Sequence, residues 1–94
     1  MELEKIRIFL AVADTRSFSE AARRLYISHS TTSRAVSALE EELGVRLIDR
    51  EENRVVGLTA AGELLRSGGE ALLRQADTLA AACAGTKATS GREK

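Results

Sequence analysis

Two helix-start signals only eleven residues apart constrain this chain more than any other feature of it. In "SFSE", Ser17 is followed three residues later by Glu20. That spacing is a capping box, in which a hydroxyl and a carboxylate satisfy the free amides that open a helix. Phe18, Ala21, Ala22 and Leu25 then mark one apolar stripe, and the pattern stops near Tyr26 and Ile27. Ser28 is the second N-cap. After it, Thr32, Val36, Leu39 and Leu43 recur at helical spacing and turn one side of a further helix toward a core. Gly44 supplies the left-handed residue that closes it. About three residues separate these two helices, and helices joined by so short a turn form a helix-turn-helix unit.

The rest of the chain extends that unit. Leu3, Ile6, Phe9, Leu10 and Ala13 lie opposite Glu4, Lys5 and Arg7, which predicts a first amphipathic helix over residues 3–14. Residues 45–58 change character. "VRLID" and "RVVGL" are β-branched and bracket the polar "REEN", so they read as a two-stranded hairpin with its tip near Glu51–Asn53 and a bulge at Gly57. From the N-cap Thr59 a helix over residues 59–84 would span roughly 39 Å. Leu65, Leu72 and Leu79 repeat every seven positions along it, with Ala76 beside the seam, which points to pairing with another helix. Gly68-Gly69 should cost about 2 kcal/mol against alanines, so the helix bends there or something packs close. The polar "GTKATSGREK" at 85–94 reads as a flexible tail. The expected fold is mainly α: a winged helix-turn-helix over 1–58, three helices plus a two-stranded wing, followed by a long linker and dimerisation helix over 59–84.

Charge is zero overall but unevenly placed. Residues 15–39 carry Arg16, Arg23, Arg24 and Arg34 against Glu20 alone, whereas residues 40–52 carry six acids against Arg46 and Arg50. A segregated charge can give a neutral protein one basic face. The single cysteine, Cys83, can form no intramolecular disulfide, and with the single His29 it offers no metal-ligand cluster. Those two are also the only nucleophile and base of the usual kind, and they lie on different elements, so no catalytic residue, cofactor or metal is expected. No apolar run is long enough for a membrane span and no signal-peptide pattern opens the chain, which makes the cytoplasm the default compartment.

The third helix carries the functional signal. Its core stripe leaves Ser30, Ser33, Arg34 and Ser37 on the other side, with His29 at the edge. Exposed helix faces usually carry long Glu and Lys side chains. Serine and threonine are poor helix formers, and five of them stand between positions 28 and 33. Capping explains Ser28 and Thr31 but not Ser33, Arg34 and Ser37. Short hydroxyls permit close approach and donate to phosphates and base edges. Arginine adds a fork that reads guanine or clamps phosphate. The glutamates at 40–42 oppose the helix dipole and should find cations such as Arg46 or Arg50.

In combination, "SFSEAA", "SR" before "AVSALEEELG", and "LTAAG" opening the long helix resemble the N-terminal DNA-binding domain of LysR-type transcriptional regulators. The resemblance covers residues 3 to about 84. It implies binding of double-stranded DNA at interrupted inverted repeats, by a homodimer paired through the linker helix (Leu65, Leu72, Ala76, Leu79), with a tetramer open to the full-length regulator. By position it implies DNA contacts from Ser28, His29, Ser30, Thr31, Ser33 and Arg34 on the recognition helix, from Arg54 in the wing, and from Ser17, Ser19 and Arg50 near phosphates; Ser37 is added from the face itself. The family commonly has glutamine where this chain has His29. Glutamine pairs with adenine through two bonds; histidine makes one and can carry charge, so base preference should differ. Thr32 stands where an aliphatic residue is usual, and its hydroxyl should bond back to a helix carbonyl. The wing is one residue longer than in many members, and Glu51-Glu52 should repel phosphate unless they point away. The effector-sensing domain is absent, so the chain reads as a fragment of a longer regulator whose small-molecule effector would act through that missing part. The competing reading is a winged-helix interaction module that dimerises or docks without specific DNA binding.

Overall fold

The computed structural model describes residues 1–52 and 54–86. Helices α1 (Leu3–Thr15), α2 (Phe18–Leu25) and α3 (His29–Leu43) are followed by strands β1 (Ile48–Glu51) and β2 (Arg54–Leu58) and the long helix α4 (Ala60–Gly85). The expected tail lies, from residue 87 onward, outside the described residues, as does Asn53 at the expected wing tip.

Local chemistry sets the helix ends. Ser17 accepts from the Glu20 amide at 3.0 Å, while the Glu20 carboxylate pairs with Arg23 at 2.6 Å. Ser28 accepts from the Thr31 amide, and Thr59 from the Gly62 amide, both at 3.0 Å. Gly44 closes α3 at φ 74. At the ends of α1 and α2 the left-handed position falls instead to Arg16 (φ 59) and Tyr26 (φ 60). Bulky residues adopt that conformation only under local compulsion. Here it frees the chain to turn within two or three residues.

Helix α1 is the hub, packed against α2, α3 and α4. Contact on three sides buries Ile8, Ala11 and Val12 in addition to the expected Ile6, Phe9 and Ala13, whereas Leu3, expected inside, lies at the exposed N-terminal end. Around it the core gathers Phe9, Val12, Ala21, Val36, Leu39, Leu47 and Ile48. Among the described residues Thr32 is the one fully buried polar residue, and its hydroxyl donates to the Ser28 carbonyl at 3.0 Å. Leu43, also expected inside, is 42% exposed at the last residue of α3, just before the Gly44 cap. Asp14 ties α1 to α2 through Arg24 at 2.7 Å, and that hydrogen bond lowers its carboxyl from the ordinary range.

The wing is an antiparallel pair in which Asp49 faces Gly57 and Arg50 faces Val55, leaving Val56 as the extra residue of a bulge beside Gly57. Val45 to Leu47 precede the strand rather than joining it. Helix α4 folds its first half back onto the domain. Gly62, Leu65, Gly69 and Leu73 face inward. Leu65 packs on its own chain's core. Gly69 explains the glycine pair: an added Cβ would lie 2.9 Å from Ile6, while Gly68 faces open space. Leu72 and Leu79 point outward, joined by Leu64, and Ala76 is half-buried. Among the described residues no helix is long and apolar enough to cross a membrane.

Candidate nucleic-acid interface

One side of α3 is left bare by this packing. Ser30, Arg34 and Ser37 are exposed on it at spacings of four and three, and Glu41 follows one turn further on. To one flank, Arg34, Ser37 and Thr31 border a shallow groove floored by Ile8, Ala35 and Ala38 of α1 and α3. To the other flank, α3 faces the start of α2 and the wing across an open cleft of about 370 Å3. The predicted site residues therefore divide. Ser17, Ser19, His29, Ser33, Arg50 and Arg54 line the cleft. Ser30, Arg34 and Ser37 stand beside it on the outer face. Ser28 and Thr31 are tied together, the Ser28 hydroxyl donating to Thr31 Oγ1 at 2.8 Å while it accepts the Thr31 amide.

The cleft also contains Arg16 and Phe18, which the sequence reading did not place in the site. The Phe18 ring is a shared platform. The Arg50 guanidinium carbon sits 4.8 Å from its centroid, within cation–π range, and the His29 ring lies 6.1 Å away at a 48° tilt. Arg50 is held from behind by Glu40 at 3.7 Å, and its Nε and Nη2 are buried without a hydrogen bond. Glu40 itself is nearly enclosed. One carboxylate oxygen accepts from the Leu47 and Ile48 amides at 2.9 and 3.3 Å and lies 3.9 Å from Arg46. So the first glutamate of the acidic run fastens the wing to α3, as a cation partner was expected to require, and Glu42 accepts from the N-terminal ammonium at 2.8 Å. No local pattern marks Glu40 or Phe18 for these roles, since their partners lie on other elements.

The cleft brings three guanidiniums, one imidazole and three hydroxyls together, and no carboxylate lines it. Glu51 and Glu52 lie with Val56 on the other side of Arg54. The arrangement suits a polyanion: fixed positive charge, short donors and a ring that keeps one guanidinium in place. Among the described residues no group of three or more His, Cys, Asp or Glu side chains could hold a metal ion, and Cys83 stands exposed near the end of α4.

The family model for bacterial regulatory helix-turn-helix proteins of the lysR family matches residues 3–63. The chain belongs to that family. Its LysR-type domain is 47% identical over 66 residues to the HTH-type transcriptional regulator IlvY of Escherichia coli K12, a match spanning 70% of this chain and 22% of that one. Among solved structures, the DNA-binding domain of BenM in complex with benA site 1 DNA superposes with a TM-score of 0.82 at 35% identity, covering 88% of this chain and 95% of that one. The CbnR DNA-binding domain in its DNA complex gives 0.85 at 31% identity, covering 92% and 98%. The LysR-type chain spans about a fifth to under half the length of curated relatives it matches. Membership places it among regulatory proteins and not among enzymes.

Proposed function

We propose that this chain is the sequence-specific DNA-binding part of a bacterial LysR-type transcriptional regulator, acting in the cytoplasm. The observation that carries the reading is the surface formed by the exposed Ser30–Arg34–Ser37 line and the adjoining arginine cleft, which no carboxylate lines, on a fold shared with LysR-type DNA-binding domains solved on DNA. Helix α3 enters the major groove, with Arg34 reading a base and Ser30, Ser33 and Ser37 permitting close approach. Arg54 reaches the adjacent minor groove. Ser17, Ser19 and Arg50 hold phosphates.

Two copies pair through the outward stripe of α4, where Leu64, Leu72 and Leu79 remain 75%, 41% and 64% exposed. Pairing places two recognition helices on successive major grooves, as an interrupted inverted repeat requires. Tetramer assembly and response to a small-molecule effector belong to the longer regulator.

Duplex affinity should fall steeply with salt, since each neutralised phosphate releases counterions. A salt-insensitive interaction would favour the docking module that the exposed acids of the wing allow. On the duplex the protein selects, Arg34→Ala should cost about 1–3 kcal/mol. Equal losses on selected and random duplexes would make Arg34 a phosphate anchor. Leu72→Asp should leave a monomer in light scattering, because a carboxylate in the middle of the stripe would be buried unpaired. A dimeric variant would place the interface elsewhere.

A further inference from the structure

His29 is the single histidine of the 94 residues, and it stands in the cleft rather than on the open outer face. What faces it is one-sided. From the turn before α2 come Arg16 and the Ser17 hydroxyl; from α2 come Phe18 and Ser19. Ser33 follows on α3, and the wing supplies Arg50 and Arg54. Glu40 is engaged behind Arg50 by two amides and two guanidiniums. Glu51 and Glu52 border the far side of Arg54. Three guanidiniums and no carboxylate therefore share the cleft with the imidazole. A phosphate of bound DNA reverses that balance, because it supplies negative charge to all four cations together.

We propose that His29 couples DNA binding to proton uptake: as backbone phosphate enters the cleft, the imidazole takes one proton from solvent and donates it as a hydrogen bond to the DNA. The proposal rests on the DNA-binding reading and adds a control to the same site. The direction follows from linkage. The charged imidazole is favoured in the complex, so His29 keeps its proton to higher pH when bound than when free. The added affinity is present at low pH and is lost as pH rises through the titration of the bound state. Histidine is the side chain that ordinarily changes charge within the physiological window, so the effect falls in usable conditions.

The test uses the whole chain and a random-sequence duplex long enough for two half-sites. Duplex affinity is measured near pH 6 and near pH 8 for the wild type and for His29→Gln, which keeps hydrogen-bonding atoms but does not titrate. The wild type should lose ~5-fold or more affinity per protomer across that interval, and His29→Gln should lose markedly less. Ring-proton resonances of isotope-labelled histidine give a second readout, unambiguous because only one histidine is present. Their titration should move to higher pH when duplex is added. Binding with the same pH dependence in both proteins, or an unmoved titration, overturns the proposal and leaves the DNA reading standing. Failure to bind duplex at either pH overturns the DNA reading, and the coupling with it.

Discussion

Gly62→Ala is expected to destabilise the protein by about 3 kcal/mol, a loss on the order of 15 °C in Tm for a domain of this size. The new Cβ would collide with the Leu47 carbonyl oxygen and lie 3.1 Å from Leu58 Cβ. Neither neighbour can yield cheaply. The Leu47 carbonyl is backbone and accepts the Thr59 amide at 3.1 Å, so moving it would break the joint between wing and α4. Gly68→Ala is the matched control. It faces open space on the same helix, and should stabilise by about 0.5–1 kcal/mol through helix propensity alone. Thermal denaturation of both variants at one protein concentration separates the two effects. A Gly62→Ala protein as stable as the wild type would mean that α4 does not approach the wing this closely.

The second large effect is expected at Glu40. Replacing it with alanine strips the buried Leu47 and Ile48 amides of their acceptor and leaves Arg50 without its carboxylate. Unsatisfied buried donors and a half-enclosed unpaired cation together should cost about 2–4 kcal/mol. Glu40→Gln keeps a neutral acceptor for the amides but loses the charge facing Arg46 and Arg50, so its loss should be intermediate. Urea unfolding gives the stability order. If the wing is fastened to α3 by this residue, Glu40→Ala should also weaken duplex binding at temperatures where the protein is still folded. Wild-type stability in Glu40→Ala would remove Glu40 as the fastening.

These two positions also mark what could and could not be read along the chain. Caps are local, so Ser17, Ser28, Gly44 and Thr59 announced the helix ends and, through the short turn between α2 and α3, the architecture. The role of Glu40 depends on acceptor geometry toward amides seven and eight residues away, across a helix end. The role of Phe18 depends on the wing returning to α2, which no spacing within α2 encodes. Gly62 was visible only as part of "LTAAG", because a close approach has no signature until the approaching backbone is known. The heptad line of α4 combines residues of different exposure: Leu65 packs on its own chain's core, whereas Leu72 and Leu79 are exposed. A straight α-helix drifts ~20° per heptad from a seven-residue repeat. Over two heptads that drift is only ~40°, so the exposure of Leu79 reflects its place in the distal part of α4, where residues 77–86 are all exposed.

The division of the candidate site follows the same logic. Helical spacing alone grouped Ser30, Arg34 and Ser37, which share an exposed line in the structure. It also grouped Ser33 with them, although Ser33 turns toward the wing and shares the cleft with His29, Arg50 and Arg54. Arg16 entered the cleft through a left-handed turn that its sequence context did not announce.

The most direct test of the account is selection of bound sequences from a random duplex pool at moderate salt, with Arg34→Ala carried through in parallel. The account predicts that the wild-type chain enriches an interrupted inverted repeat, and that Arg34→Ala loses preference at specific positions within each half-site. A verified dimer that enriches no sequence would contradict the account and assign the serine and arginine face to something other than reading DNA.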